Sequence, residues 1–469
     1  MKYSLQDVNI KLSRYIPKEI AKELNIIPIK EELGSIYIGC VKETSEINNY
    51  LKLIYEKDIK IILLNKDNIR ELIESVYSGF SNNINNDTVI ETTTGLVNNI
   101  IEQSIKQEAS DIHLEPMASN SIIRIRVDGK LYLMAKIDNN QYLAACTRIK
   151  LISNIDITEK RKPQDGKISF KYQDRSYDLR VSSIPTIYGE KIVIRILYNE
   201  SFNLDINSLS FPREQLEIIK RLIALRHGIV LVCGPTGSGK STTLYSIIKT
   251  LNINNLNITT VEDPVEVYLD GINQINVNIK AGITFSSGLR SILRQDPDVI
   301  MIGEIRDEET AKIAIRSSIT GHKVYSTIHT NSALEVFTRL YDMGVEKYLV
   351  KDAIKGIISQ RLVRKLCDNC KESYVISSEQ IEKYGIKIGS RLSRSVGCSK
   401  CNYTGFKGRT LVSEVLVIDD KLKAFSGESD SIYNSSTSNN GLIKICRSLL
   451  LDGRISFEEY VDFVEGEAF

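Results

Sequence analysis

The stretch GPTGSGKST, residues 234–242, follows the apolar run IVLVC and has the pattern of a phosphate-binding loop. Its glycines let backbone N–H groups approach a phosphate, and the helix expected to follow directs its positive dipole end toward that anion. We expect the Lys240 ammonium to bind the β- and γ-phosphates of a nucleoside triphosphate and the Ser241 hydroxyl to bind Mg²⁺. The predicted nucleotide-binding residues of this loop are Gly234, Pro235, Thr236, Gly237, Ser238, Gly239, Lys240, Ser241 and Thr242.

Three further apolar runs end in polar residues, as strands of an open α/β sheet do where a ligand binds. In TVEDPVE, we expect Glu262 to orient or deprotonate an attacking water, although a plain acidic turn is the alternative. In DVIMIGEIRD, Glu304 is the candidate for the Mg²⁺ shell, with Gly303 where an aspartate is usual, and a solvated strand-end acid is the alternative. In VYSTIHT, His329 is a candidate γ-phosphate sensor, and a satisfied core histidine is the alternative.

Four arginines could neutralise charge on a transferred phosphate. Arg180 and Arg195 fall on predicted strands, where arginine is rarely buried without an anion, and Arg290 and Arg294 are four apart on a predicted helix face. A guanidinium that reaches the γ-phosphate from another domain or subunit can contribute about 10³ to 10⁵ in rate. Surface salt bridges are the alternative for all four.

Two Cys-x-x-Cys pairs, LCDNC and GCSKC, supply Cys367, Cys370, Cys398 and Cys401. This spacing predicts a tetrahedral, structural Zn²⁺ site with four thiolates and no open position for catalysis, against the alternative of four free thiols. The other cysteines stand alone in apolar surroundings and are expected to be buried thiols.

The elements that position these residues form an α/β protein of about three domains, as a length of 469 residues suggests. Residues 1–80 predict a small α/β module that could bind a partner, and residues 88–200 predict a second α/β domain with a hairpin turn at VDG. Residues 205–469 predict a nucleotide-binding domain that includes the tetracysteine segment at 361–412. The remaining polar segments are expected to be a linker, a hinge and a Ser/Asn-rich loop, at 81–87, 201–205 and 425–440.

The net charge of +2 provides no global field for nucleic acid or an anionic membrane. The N-terminal stretch carries charge throughout without an apolar core, and no run approaches the roughly 18 apolar residues that span a bilayer. We therefore expect a cytoplasmic protein that associates with membranes only peripherally.

The chain resembles the assembly ATPases of type IV pili and type II secretion over residues 88 to about 416. Motifs that carry the resemblance include SDIHLEP, RIRVDG, KPQDGKIS, GPTGSGKSTTLY, TVEDPVE, LRSILRQDPDVIMIGEIRD, TGHKVYSTIHTN and SQRLVRKLCDNC. The resemblance implies ATP as the nucleotide, a RecA-like ATPase domain, a preceding PAS-like domain and a homo-hexameric ring. It implies that Glu262, Glu304 and His329 belong to the family's acidic box, atypical second nucleotide motif and His box. It also implies that the four arginines match positions that close on the phosphates.

Family members that retract pili lack the zinc segment and the long N-terminal module. This chain has both, so it resembles the extension or secretion type. The first 80 residues resemble only the latter half of the usual N-terminal domain, so no cyclic di-GMP site is predicted. After Gly408 and Arg409 the chain reads TLVSEVL and departs from the family pattern.

The resemblance implies an ATP hydrolase that powers pilin polymerisation through a membrane platform protein, with type II protein secretion as the alternative. An Ile/Asn/Lys-rich composition is typical of an AT-rich genome, often that of a host without an outer membrane, and therefore favours the pilus. A nucleic-acid transport motor is disfavoured by the near-neutral charge, and no nucleic-acid partner is expected. A non-hydrolysing nucleotide switch is disfavoured by Glu262 and Glu304 together.

Overall fold

In the computed structural model, helices and strands form where the sequence has helical and strand periodicity. The structure describes residues 24–32, 35–44, 58–81, 93–198, 205–251, 254–376, 383–418 and 438–467, with seven isolated positions before residue 58. Its internal contacts divide it into two units. Unit 1 contains Met1–Leu197, Cys367–Lys371 and Ser395–Phe406, and unit 2 contains Tyr198–Leu366, Glu372–Arg394 and Lys407–Phe469.

The first part of unit 1 is a small α/β arrangement of three strands and a helix. Its described elements are β1 (Ile26–Glu32), β2 (Ser35–Cys40), β3 (Asp58–Leu63) and α1 (Lys66–Ser81). β2 lies in the middle, antiparallel to β1 and parallel to β3. Fully buried isoleucines of both β1 and β2 form its core with apolar residues of α1.

The second sheet of unit 1 is antiparallel throughout. Its strands are β4 (Asp111–Glu115), β5 (Asn120–Val127), β6 (Lys130–Asp138), β7 (Gln164–Tyr172), β8 (Arg175–Thr186) and β9 (Gly189–Leu197). They lie in the order β6–β5–β4–β9–β8–β7, with helices α2 (Thr93–Lys106) and α3 (Asn139–Ile152) in the same unit. The hairpin predicted at VDG is confirmed, since Asp128 and Gly129 both have positive φ between β5 and β6.

The central sheet of unit 2 places β10 between the strands that carry the candidate residues. Its strands are β10 (Gly228–Cys233), β11 (Ile258–Glu262), β12 (Asn273–Asn276), β13 (Val299–Ile302), β14 (Lys323–Ile328), β15 (Ile354–Leu366) and β18 (Phe406–Val417). They lie in the order β12–β11–β13–β14–β10–β15–β18, and the pairs from β12 to β15 are all parallel.

Both faces of this sheet are covered, as a parallel sheet requires. Alternate residues of β10 enter two different apolar clusters: Ile229 and Leu231 in one, Val230 and Val232 in the other. The described helices of unit 2 before β15 are α4 (Arg213–Ala224), α5 (Lys240–Thr250), α6 (Phe285–Ile292), α7 (Glu308–Ile319), α8 (Glu335–Asp342) and α9 (Lys347–Ala353).

The C-terminal part adds a two-stranded sheet and two helices to unit 2. These elements are β16 (Glu372–Val375), β17 (Arg391–Arg394), α10 (Ser438–Leu451) and α11 (Phe457–Glu467). Of the 361–412 segment, the two stretches that carry the four cysteines are grouped with unit 1 by their contacts, and the rest is grouped with unit 2.

The predicted linker at 81–87, hinge at 201–205 and Ser/Asn-rich loop at 425–440 fall almost entirely outside the described residues. Among the residues that the structure does describe, no helix is both long enough and apolar enough to cross a membrane.

Candidate active site and cysteine cluster

The predicted phosphate loop joins the end of β10 to the start of α5. Gly234 has φ 146°, and a Cβ there would lie 2.4 Å from the backbone oxygen of Gln360 on β15. Gly239 precedes α5 in the left-handed region, with φ 86°. Only glycine adopts both conformations at little cost. The loop can therefore bring its N–H groups to the positive end of α5, where a phosphate binds.

The buried Gln360 side chain braces this loop from the neighbouring strand. Its Nε2 donates to the backbone oxygen of Ser238 at 2.8 Å, and its Oε1 accepts from the Thr243 hydroxyl at 2.9 Å. Gln360 was not predicted from the sequence, because it lies 122 residues from Ser238 along the chain and belongs to no local motif.

The Lys240 ammonium is held inside the loop. It donates to the backbone oxygens of Gly234 at 2.8 Å and Pro235 at 2.9 Å, and the residue is 8% exposed. Burial lowers the pKa of Lys240, and the negative charge of Glu304 opposes that shift. The cation is thus placed where phosphate oxygens could replace the two carbonyl acceptors.

Glu262, at the end of β11, is a buried carboxylate fixed by three donors. Its Oε1 accepts from the Thr260 hydroxyl at 2.5 Å and from Gln274 Nε2 at 3.2 Å, and its Oε2 accepts from the Tyr245 hydroxyl. Burial, followed by the Glu262 charge, raises the pKa of Tyr245, so this hydroxyl stays protonated and donates. A carboxylate can accept about four hydrogen bonds, so one position is left for a further donor such as water.

Glu304, just after β13, lies between a histidine and an arginine. Its Oε1 pairs with Arg306 Nη2 at 2.5 Å, and its Oε2 lies 3.3 Å from His329 Nε2. Burial and the nearby Lys240 charge lower the pKa of His329, against the opposing charge of Glu304. Arg306 was not predicted as a site residue, although it stands two residues after Glu304 in GEIRD.

A cavity of about 500 Å³ in unit 2 joins the phosphate loop to the residues that follow β14. Its lining comprises Gly234, Pro235, Thr236, His329, Thr330, Asn331, Glu335, Thr338, Arg339 and Asp342. β10 and β14 are parallel neighbours, so the loop after one and His329 after the other meet at the same edge of the sheet. The contribution of α8, including Arg339, was not predicted from the sequence.

Arg290 and Arg294 lie near each other but not on one helix face. Arg290 is in the last turn of α6 and pairs with Glu309 Oε1 at 2.5 Å. The helix prediction is wrong for Arg294, because α6 ends at Ile292 and Asp296 has a positive φ of 50° before a proline. Arg294 instead turns back and donates to the backbone oxygen of Arg290 at 2.9 Å.

Arg180 and Arg195 face each other on β8 and β9 of unit 1 and line a cavity of about 450 Å³ in that unit. We expected an arginine on a strand to be buried beside an anion, but the Arg195 side chain is 66% exposed. Its Nε pairs with Asp111 Oδ1 at 2.9 Å, and Arg126 lies 3.7 Å from the other oxygen of the same carboxylate. Asp111 is thus shared by two strand arginines.

The four predicted zinc ligands come together. The Sγ atoms of Cys367, Cys370, Cys398 and Cys401 all lie within 4.8 Å of one another, and three pairs are 3.8–3.9 Å apart. A tetrahedron with Zn–S bonds of about 2.3 Å has edges of about 3.8 Å, so these sulfurs fit Zn²⁺.

Among the four cysteines the pKa shifts differ: burial raises the pKa of Cys367, and that of Cys370 to about 12, whereas Cys398 is shifted toward its thiolate. Burial opposes ionisation of Cys398, but hydrogen bonds from Asn369 and from backbone N–H groups lower the pKa of Cys398 to about 6. The thiolate is the metal-binding form of cysteine. The remaining cysteines are buried, as predicted: Cys40, Cys146, Cys233 and Cys446.

Comparison with known proteins decides the family. A sequence profile described as "Type II/IV secretion system protein" matches residues 86–462. The chain belongs to this family. It is 47% identical over 337 residues to the type II secretion system protein E of Dickeya dadantii, covering 71% of this chain and 68% of that protein. It is 47% identical over 330 residues to the type II secretion system ATPase E of Vibrio cholerae, covering 70% of this chain and 66% of that protein.

Solved structures of the same kind share the fold. The Legionella pneumophila ATPase DotB matches with a TM-score of 0.61 and 21% identity, over 81% of this chain and 98% of DotB. The pilus retraction motor PilT with bound ADP matches with a TM-score of 0.52 and 25% identity, over 78% of this chain and 96% of PilT. The predicted family, the α/β fold class with a RecA-like domain and the ATP-hydrolase class are confirmed.

Proposed function

We propose that the cavity of unit 2 is the site at which this family member binds and hydrolyses ATP. The observation that carries the proposal is that the phosphate loop and His329 line one cavity, at the carboxyl ends of β10 and β14. Ligands of open parallel sheets bind at that edge.

The loop residues 234–242 bind the phosphates. Lys240 pairs with the β- and γ-phosphates once their oxygens replace its two carbonyl acceptors. Ser241, at the start of α5, and Glu304, through water, would hold Mg²⁺, which supplies charge neutralisation on the phosphates.

Glu262 orients the attacking water, and His329 senses the γ-phosphate. The three donors to Glu262 fix its carboxylate in one orientation, which a positioning group requires. His329 lines the cavity, and its lowered pKa keeps the ring neutral near pH 7, so it can either donate or accept.

The arginines neutralise charge on the phosphates. Arg290 and Arg294 bind the nucleotide, and Arg180 and Arg195 act as arginine fingers that stabilise the transition state. The proximity of Arg180 and Arg195 on adjacent strands supports a joint role, because two guanidinium groups then face one anion.

The cysteine cluster is a structural Zn²⁺ site, supported by sulfur spacings that match tetrahedral coordination. The chain is organised as a partner-binding module (1–80), a PAS-like domain (88–200) and the ATPase domain (205–469) with its tetracysteine segment at 361–412. The working assembly is a cytoplasmic homo-hexamer, recruited peripherally to the cytoplasmic membrane.

Hydrolysis powers the polymerisation of pilin subunits through a membrane platform protein of a type IV pilus. Type II protein secretion is the second candidate, and the names of the relatives from Dickeya dadantii and Vibrio cholerae favour it. Both functions need the same ATPase cycle.

The test replaces the chromosomal copy in the host with Lys240→Ala and, as the matched control, Lys249→Ala. Lys249 is an exposed lysine at the other end of α5. Loss of surface pili by electron microscopy with normal exoprotein profiles in the Lys240 variant supports the pilus motor. Intact pili with lost exoproteins supports secretion, and no change in either contradicts both.

A further inference from the structure

The last described helix, α11, is tied to β15 by two buried ion pairs. Glu467 accepts from Arg361 Nε at 2.6 Å and Nη2 at 3.2 Å, and Glu459 accepts from Arg364 Nε at 2.9 Å and Nη2 at 2.7 Å. The side chains are similarly enclosed, with 10–13% of each exposed in the first pair and 11% in the second. The two pairs therefore resemble each other in chemistry, strand, helix and burial.

The Arg361 pair also contacts the wall of the unit 2 cavity. Arg361 Nη2 donates to the backbone oxygen of Asn331 at 2.5 Å. Asn331 lines the cavity two residues after His329, and its own N–H donates to Glu335 Oε2 at 2.8 Å. Asn331, in the loop that carries His329, is thus bound both by the Arg361 guanidinium of β15 and by the Glu335 carboxylate of α8.

The residue before Arg361 fixes the other wall. Gln360 holds the phosphate loop through the backbone oxygen of Ser238 and the hydroxyl of Thr243. Adjacent residues of one strand therefore contact both loops that form the cavity. The positive charge of Arg361 also reaches Lys240, where it contributes to the lowered pKa of that lysine.

We propose that Glu467 is a positioning residue for ATP hydrolysis, which acts by holding the Arg361 guanidinium against the backbone of the His329 loop. A buried guanidinium needs a carboxylate partner, and removal of that partner leaves a positive charge that must move toward water, away from the Lys240 ammonium. That movement releases the Asn331 carbonyl. The inference rests on the proposed role of the His329 loop in catalysis.

The test compares Glu467→Gln with Glu459→Gln in the purified full chain by phosphate release over a range of ATP concentrations. Both changes remove one buried charge between α11 and β15, so both should lower the thermal unfolding midpoint by similar amounts. We expect Glu467→Gln to lower kcat about tenfold with KM for ATP changed by less than about threefold, because the loop aligns the reaction more than it binds substrate. Glu459→Gln should keep kcat within about twofold.

Two further variants keep the outcome interpretable. Glu467→Asp retains the negative charge, so its kcat should be at least about threefold higher than that of Glu467→Gln. A loss of packing alone does not predict this recovery. His329→Ala tests the underlying role of the loop and should itself lower kcat.

Equal kcat values for Glu467→Gln and Glu459→Gln, or no recovery with Glu467→Asp, overturn the positioning role. If His329→Ala lowers kcat and Glu467→Gln does not, the inference fails while the proposed active site stands. If His329→Ala keeps full kcat, the proposed role of the loop fails first.

Discussion

Two buried tyrosines provide a direct test of how Glu262 is held. The Tyr245 hydroxyl donates to Glu262 Oε2 and accepts from the backbone N–H of Glu266 at 3.2 Å. The Tyr325 hydroxyl is also buried, but it has no hydrogen-bond partner among the described residues. The same substitution, tyrosine to phenylalanine, therefore removes a hydrogen bond to a carboxylate in one case and an unpaired hydroxyl in the other.

The two substitutions should change the free energy of unfolding by different amounts and in different directions. A hydrogen bond to a charged group contributes about 1.5–3 kcal/mol, so Tyr245→Phe should destabilise by about 2 kcal/mol. For a unit of this size that corresponds to a fall of roughly 4–8 °C in the thermal midpoint. Tyr325→Phe removes a buried polar atom without a partner, so it should leave the midpoint unchanged or raise it slightly.

The functional readout is phosphate release by each variant at saturating ATP. Tyr245→Phe should lower kcat about tenfold, since Glu262 loses the Tyr245 donor to its Oε2 and can turn away from the water that it orients. Tyr325→Phe should keep the wild-type kcat. Equal loss of stability in the two variants, or full kcat in Tyr245→Phe, refutes the reasoning that this hydroxyl fixes the carboxylate.

Three further predictions follow from the same geometry. Burial lowers the pKa of His329 below its usual 6.5, so the stability that its neutral ring contributes is present at higher pH and is lost as pH falls through that lowered pKa. The acidic limb of the kcat profile should therefore lie below pH 6.5 and should disappear in His329→Gln. Gly234→Ala, whose Cβ would lie 2.4 Å from a backbone oxygen, should weaken ATP binding in a nucleotide titration at least about tenfold, more than Gly237→Ala, where no atom lies within 4 Å. Cys370→Ser should lose the bound zinc measured by metal analysis, whereas Cys40→Ala should retain it; equal zinc contents contradict the four-thiolate site.

Local motifs explain why much of the site could be predicted from the sequence. The phosphate loop and the Cys-x-x-Cys pairs are defined by glycine conformations and thiolate spacing over a few residues, so their residue types alone predict their geometry. Glu262, Glu304 and His329 were predicted because each follows an apolar strand, and the parallel order of those strands brings their ends to one edge.

The contacts that were missed depend on tertiary packing. Arg361 meets Glu467 across 106 residues, and Gln360 meets Ser238 across 122, so no window of sequence contains both partners. Helix ends are also set by local detail, and α6 ends before Arg294 because of the turn at Asp296.

ATP hydrolysis by purified Lys240→Ala, measured beside Lys249→Ala, shows whether ATP is hydrolysed in the unit 2 cavity. Both variants lose one lysine from α5, but only Lys240 lies within the phosphate loop. We expect phosphate release to fall at least about a hundredfold in Lys240→Ala and to stay near wild type in Lys249→Ala, with both thermal midpoints close to wild type. Undiminished phosphate release in a folded Lys240→Ala protein contradicts the placement of the ATP site in this cavity.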